Sequence, residues 1–215
     1  PRNPYIATKS ASDHLIRAAI NTRGLLATIS NCTNNYWPYL YPEKFLSIAI
    51  TNLLEGYQVP IHGDGLQVRD WIQVEDHANG ILLILEKGAP SETYMMGGDA
   101  EYSILDTARL VLQIMGLRED RLQFIGDRPG QDRRYAIDFS KIQHQLGWKP
   151  EHTFESGLRH MLGWYQKNTS WWKPIKDGAA YRQWYVSHFG HPVASPSSTD
   201  FIRSQPETAA KAKAV

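Results

Sequence analysis

One cysteine, Cys32, in 215 residues excludes an internal disulfide framework. The sequence has no apolar run of membrane-spanning length and no secretory leader, so a cytoplasmic setting with no membrane partner is expected. It also lacks a charge excess: 23 Lys and Arg against 22 Asp and Glu leave a formal net charge of +1. Without a global basic field, nucleic acid is not an expected partner, and any anion must be held by local basic groups. Metal-ligand spacing is missing too. The eight histidines are scattered, and His188-x-x-His191 has no Cys, Asp or Glu cluster beside it, so no metal is expected. No Gly-rich phosphate loop occurs anywhere in the chain. The chain opens on Pro1 instead of Met, which suggests a piece of a longer protein. Its 42% hydrophobic content suffices for the core of one domain plus a tail.

What is present is a Tyr-x-x-x-Lys pair, Tyr5 and Lys9, at the start of a helical pattern. Residues four apart share a helix face, so the lysine ammonium can stabilise the tyrosine phenolate. A tyrosine tuned in this way is a general base for an alcohol proton, as in carbinol oxidation beside a nicotinamide. Taken alone, such a pair also occurs on solvated helix faces.

Apolar spacing predicts a helix over residues 10–22 ended at Gly24, then a strand over 25–30. Further helices are expected over 44–54, with Pro42 and Glu43 at its start, and over 75–87, 103–115, 140–146 and 154–167. Strands are expected over 59–62, 68–74, 92–96 and 135–138, the first two flanking a Gly63-Asp64-Gly65 turn. Ser103 is the expected cap of its helix, and Asp76 and His77 are read as cap and packing residues. Residues 169–190 form an aromatic extension containing Trp171, Trp172, Tyr181, Trp184 and Tyr185. Residues 191–215, rich in Ser, Pro, Ala and Lys, are expected to be disordered.

Pro4-Tyr5 through Leu15, Asn31-Cys32-Thr33-Asn34-Asn35-Tyr36-Trp37-Pro38 and Pro42-Glu43-Lys44-Phe45 resemble the extended short-chain dehydrogenase/reductase family of nucleotide-sugar enzymes. Within that family, Gly63-Asp64-Gly65-x-Gln67-x-Arg69-Asp70-Trp71 and Asp127-Arg128-Pro129-Gly130-Gln131-Asp132-Arg133-Arg134-Tyr135 are similar to the dTDP-glucose 4,6-dehydratase group. The resemblance covers residues 1–168. It implies an α/β fold: an incomplete Rossmann-like sheet plus a smaller α/β substrate-binding domain. It also implies NAD as cofactor, a nucleotide-sugar substrate and a homodimer of the intact protein. The activity implied is NAD-dependent dehydration of the dTDP-glucose to 4-keto-6-deoxyglucose type. Alternatives are a nucleotide-sugar epimerase or decarboxylase of the same family, or a non-catalytic nucleotide-sugar binding module.

By this resemblance Tyr5 takes the proton from the sugar 4-hydroxyl, while Lys9 binds the nicotinamide ribose and lowers the tyrosine pKa. Asn35 contacts the cofactor and Asn34 the substrate, although on composition the Asn pair reads equally well as a turn. Lys44 and Phe45 belong to the substrate site, as do Pro60, Ile61 and His62 around the base. Arg69 and Arg128 bind the diphosphate, together with Asp127, Pro129, Gly130 and Gln131. Without the resemblance, either arginine reads as a surface ion-pair partner.

Two elements of the group's machinery are missing from these residues: the Gly-rich loop and a Thr-Asp-Glu motif that performs the elimination. The chain is therefore expected to be inactive by itself. Three further departures bear on specificity. Trp37 stands where the pattern has glycine, Met95 where it has asparagine and Gln131 where it has histidine. Trp37 is expected to crowd or reshape the sugar pocket.

Overall fold

Helix α1 (Pro4–Arg23) starts where Asn3, in an extended conformation, accepts a hydrogen bond from the Ile6 amide at 3.0 Å, with Pro4 in the first turn. It stops at Gly24, whose φ of +64° makes a left-handed cap. The cap moves the start well ahead of the predicted residue 10. The computed structural model describes residues 3–190. The tail 191–215, with His191, lies outside the described residues.

Strand β1 (Ile29–Cys32) begins later than the predicted residue 25. Leu25 and Leu26 are exposed; the Ala27 carbonyl accepts from the Ser91 amide at 2.8 Å, and the Ile29 amide donates to the Glu92 carbonyl at 3.0 Å where the strand begins. A short β2 (Asn34–Tyr36) follows, then the almost wholly buried α2 (Phe45–Leu54). Next come β3 (Val59–His62), β4 (Val68–Gln73), α3 (Val74–Lys87), β5 (Thr93–Met96) and β6 (Glu101–Ser103). The chain continues through α4 (Ile104–Met115), β7 (Leu122–Ile125), β8 (Arg134–Tyr135), α5 (Ser140–Leu146) and α6 (Phe154–Lys167). The predicted strand over 135–138 shrinks to β8 because the ladder with β4 covers only Val68 to Arg134 and Arg69 to Tyr135. The aromatic segment, for which the pattern gave no element, forms α7 (Thr169–Asp177) and α8 (Ala179–Phe189).

Two packed regions result. In one, β1 and β5 pair in parallel, from Ile29 opposite Thr93 to Cys32 opposite Met96. Ile84 of α3, Ile142 of α5, Tyr94, Met96 and Trp148 make the apolar cluster beside this pair. This pair is the expected remnant of a Rossmann-like sheet. Helix α1 reaches it through polar contacts, Arg17 to the Thr93 hydroxyl at 2.8 Å and Asn31 to Asp13 at 3.3 Å, and buries none of its own residues.

In the other region β4 lies between β2 and β6, parallel to β2 and antiparallel to β6, with β8 also parallel to β4. Strands β3 and β7 form a separate parallel pair. The larger apolar cluster joins these strands to α2, α4, α6 and α7 through Leu46, Ile50, Ile61, Val111, Leu158 and Trp172. Asp70, buried in β4, accepts the amides of Gly98 and Ala100, both at 2.9 Å, and so ties the turn after β5 to the second region. Two carboxylate oxygens satisfied by two buried amides make this a structural anchor.

Candidate active site

Tyr5 lies in the first turn of α1 with its ring 69% exposed, and the Lys9 ammonium sits 5.6 Å from the ring centroid. The i,i+4 spacing thus puts the cation over the same face of the helix as the Tyr5 ring. Asn3, the cap of this helix, also donates to the Gly130 carbonyl at 3.4 Å, so the loop bearing Arg128 lies against the start of the Tyr5 helix.

Asn35, at the centre of β2, is held from two sides. Its amide nitrogen donates to the Cys32 sulfur at 3.3 Å, and its oxygen faces His77 Nδ1 at 3.0 Å. Burial lowers the His77 pKa and raises that of the Cys32 thiol, so both are neutral partners near pH 7. Asn34 keeps a buried side-chain oxygen with no partner among the described residues. The extended pairing of Asn34 with Trp71 and of Asn35 with Ile72 rules out the turn reading of the Asn pair.

Tyr135 donates its hydroxyl to the Cys32 carbonyl at 2.8 Å, and its own pKa is raised, chiefly by burial. Tyr5, Cys32, Asn35 and Tyr135 therefore gather around the ends of β1 and β8. Sequence reading placed Tyr135 in a motif without a role and gave Cys32 none. Its one available signal was that both fall inside the segments carrying the family resemblance.

The expected diphosphate ligands separate into engaged and open groups. Arg69 directs its guanidinium to the carbonyls of Val68 at 2.7 Å and Asp132 at 3.0 Å, and burial lowers its pKa. Arg128 is exposed, and among the described residues its guanidinium has no hydrogen-bond or ion-pair partner. Asp127 accepts the Arg128 amide at 2.8 Å and packs against Gly63, where a Cβ would come within 2.9 Å of it. Arg133 Nη1 donates to both carboxylate oxygens of Asp64, each at 2.9 Å, fixing the Gly63-Asp64-Gly65 turn to the same loop. Gly130 takes φ +73°, and Gln131 has a buried oxygen without a partner among the described residues. Pro129 lies exposed between Arg128 and Gly130.

Lys44 caps α2 without a side-chain bond and pairs with Glu43 at 2.9 Å, both exposed, while Phe45 packs at the edge of the larger cluster. Pro60 and Ile61 are buried, Ile61 fully, so of that trio His62 alone comes towards the surface. His62 Nδ1 lies 2.9 Å from the Gly126 carbonyl, and the ring stacks on Phe189 of α8 at 5.5 Å.

Trp37 is stacked on His160 of α6 at 4.5 Å and edge-on to His152 at 6.0 Å, so its indole packs on α6. His152 in turn donates to Asp76, which is 2% exposed and also takes the amides of Glu151 and His152. Asp76 thereby clamps the loop before α6, a longer-range role than the predicted helix cap. Among the described residues no three His, Cys, Asp or Glu side chains converge to hold a metal ion, and no helix is long and apolar enough to cross a membrane.

Comparison with known proteins agrees with this layout. A family model described as GDP-mannose 4,6 dehydratase matches residues 1–161. The dTDP-glucose 4,6-dehydratase of Escherichia coli is 43% identical over 196 residues, covering 88% of this chain and 54% of that protein. The dTDP-glucose 4,6-dehydratase of Mycolicibacterium smegmatis is 47% identical over 178 residues, covering 82% of this chain and 54% of that protein. Among solved structures, the dTDP-glucose 4,6-dehydratase DesIV of Streptomyces venezuelae, with NAD bound, superimposes with a TM-score of 0.80 at 40% identity over 82% of this chain and 55% of that one. The chain spans about half the length of the curated relatives it matches. Motifs, fold and comparisons converge, and the chain belongs to the GDP-mannose 4,6 dehydratase family, with dTDP-glucose 4,6-dehydratases as its relatives.

Proposed function

We propose that the intact protein is an NAD-dependent nucleotide-sugar 4,6-dehydratase of the dTDP-glucose type, and that these residues supply its proton acceptor and its diphosphate site. The observation carrying the reading is the Lys9 ammonium 5.6 Å from the ring of the exposed Tyr5, on a helix whose cap touches the Arg128 loop. Tyr5 accepts the proton of the sugar 4-hydroxyl, with the Lys9 ammonium over its ring. Arg128, unengaged, and Lys44 hold the diphosphate; Asp127, Pro129, Gly130 and Gln131 shape the loop, and Arg69 braces it through Asp132. Asn34 offers its unpartnered oxygen to a sugar hydroxyl. His62 approaches the base, with Pro60, Ile61 and Phe45 as apolar backing.

The residues fit the nicotinamide end of NAD: Tyr5 and Lys9 are open to solvent beside an Asn35 amide fixed by His77 and Cys32. Bound NAD would supply the hydride acceptor. Cytoplasmic location and a homodimer of the intact protein belong to the same reading, and sedimentation of the full-length protein tests the dimer. Residues 1–168 are the enzyme portion, 169–190 a packed extension and 191–215 a tail.

The test is formation of a 4-keto sugar from dTDP-glucose and NAD+ by the full-length protein. Tyr5→Phe should lower kcat by about 10²–10⁴-fold with little change in substrate affinity. Arg128→Ala should act chiefly on KM, raising it about tenfold or more. Wild-type levels of turnover in Tyr5→Phe would remove the proposed base. The 215-residue polypeptide by itself should give no steady turnover, because cofactor positioning is worth roughly 7–11 kcal/mol and no Gly-rich loop lies within it.

A further inference from the structure

Asn35 of β2 carries the amide expected to meet the cofactor, and a planar amide has two orientations that differ only in the exchange of its oxygen and nitrogen. Its Oδ1 faces His77 Nδ1 at 3.0 Å, and its Nδ2 donates to the Cys32 sulfur at 3.3 Å. Cys32 does not choose between the two, because a thiol is both a weak donor and a weak acceptor and tolerates either end of the amide. His77 does choose. An amide oxygen can only accept, so Nδ1 must carry the ring proton, and an amide turned over would set N–H against N–H.

The fold holds the ring and the amide in a fixed relation. His77 lies in the first turn of α3, directly after β4, whose Ile72 stands opposite Asn35. That turn is locked from three sides. Gln73 Oε1 accepts the amides of Glu75 and Asp76, the Trp148 indole donates to the Asp76 carbonyl at 3.1 Å, and the Asp76 carboxylate accepts the amides of Glu151 and His152. Burial lowers the His77 pKa, so the ring is neutral near pH 7 and has one proton to place. With one lone pair of Oδ1 and one hydrogen of Nδ2 engaged, the Asn35 amide keeps one acceptor and one donor for a ligand. That pair is the complement of a carboxamide.

We propose that His77 is a positioning residue for cofactor binding: its Nδ1–H fixes which end of the Asn35 amide is donor and which is acceptor towards the nicotinamide carboxamide. The assignment rests on the dehydratase reading for the identity of the cofactor. An unconstrained imidazole favours Nε2–H, so an Nδ1–H ring is a signature that apolar packing would not produce. Without the ring's donor the amide can turn over, and a ligand donor then meets a donor. The loss falls on NAD+ and spares the nucleotide sugar.

Two measurements on the full-length protein test this. Nitrogen NMR of the histidine rings reports the tautomer, the His77 signals being those missing in His77→Asn. Wild type should show Nδ1–H, and Asn35→Ala should return the ring to Nε2–H. Calorimetry then gives NAD+ and dTDP-glucose affinities for wild type, His77→Leu, His77→Asn, Asn35→Ala and the His77→Leu, Asn35→Ala double variant. His77→Leu should weaken NAD+ binding about tenfold, the effect of one mispaired hydrogen bond, and leave dTDP-glucose affinity within about twofold. His77→Asn, which can donate from the position of Nδ1, should restore most of the loss. In the Asn35→Ala background His77→Leu should cost nothing further, since it acts through that amide. An Nε2–H ring in wild type, or the same NAD+ loss with and without Asn35, overturns the proposal and leaves the dehydratase reading standing. Should His77→Leu fail to fold, the wild-type tautomer and the NAD+ affinity of Asn35→Ala decide in its place, with an Nε2–H ring or undiminished affinity counting against the proposal. If wild type binds no NAD+, the dehydratase reading fails and this proposal with it.

Discussion

Met95, on β5, and Gly98, in the turn that follows it, lie three residues apart and illustrate two different constraints. Met95 is 39% exposed on β5 opposite Asn31, so its thioether faces outward while Met96 enters the core. An outward position open to a ligand can take asparagine without repacking. Met95→Asn should thus leave stability within about 0.5 kcal/mol. If the side chain meets the sugar, affinity for dTDP-glucose should rise about tenfold, since an amide pairs a polar group that a thioether leaves unmatched. Equal affinity of both proteins in a titration series would show that the position does not contact substrate. Gly98 is the opposite case. A Cβ there would overlap the Trp71 carbonyl, and the Gly98 amide is committed to Asp70. Gly98→Ala should lower stability by about 3 kcal/mol, at the upper end for an overpacked site, read as a drop in denaturation midpoint. A midpoint unchanged from wild type would mean that the strand moves aside freely.

At the scale of elements, α7 is joined to α2 by a buried ionic cluster that no local pattern announces. Lys176 is almost completely buried, donates to Asn52 at 2.9 Å and Glu55 at 2.6 Å, and shares Glu55 with the exposed Lys173. Burial lowers the Lys176 pKa, the Glu55 carboxylate opposing it. Removing Lys176 leaves the largely buried Glu55 with only the exposed Lys173 and orphans the buried Asn52 oxygen, at a cost approaching the roughly 3–5 kcal/mol of a broken buried pair. Lys176→Met should therefore destabilise strongly by thermal melting, whereas Lys173→Met, at the exposed member, should cost less than about 1 kcal/mol. Equal effects would mean that the cluster is not a lock. The partners lie more than a hundred positions apart, and this explains what the sequence revealed. Helices with strong 3.6-residue periodicity, such as α4 to α6, were located to within about a residue, and the caps at Ser103 and Gly147 were visible as residue types. Strands β2, β6 and β7, of three or four residues, carry too few alternations to register. Helices α7 and α8 were hidden because their aromatic residues face a core formed by distant segments. In the candidate site, Tyr5 with Lys9 and the Arg128 loop stand out in the sequence as contiguous motifs. The contacts of His77 with Asn35, of Tyr135 with Cys32 and of His188 with His62 depend on the tertiary fold and do not.

For the molecule as a whole, the two histidines with depressed pKa values among the described residues set its response to acid. His77, packed against Asn35, and His188, among Arg128 and His62, both titrate below the ordinary 6.5, with burial the larger cause in each. The unfolded chain then takes up these protons at a higher pH than the folded one. Stability should therefore be complete above about pH 6.5 and decline as pH falls from there towards the depressed values. Carboxylates that are held low by their partners, Asp64 by Leu66 and Arg133, Glu92 by Lys141 and Glu101 by Arg134, add losses only at more acidic pH, below their ordinary 3.8 to 4.5. The window between about pH 6.5 and pH 5 thus belongs to the histidines. Urea denaturation should give a lower midpoint at about pH 5.5 than at about pH 7.5 for the wild-type chain, with a much smaller difference for the His77→Gln, His188→Gln double variant. A wild-type midpoint that does not change between these two pH values would show that neither ring is held neutral by the fold.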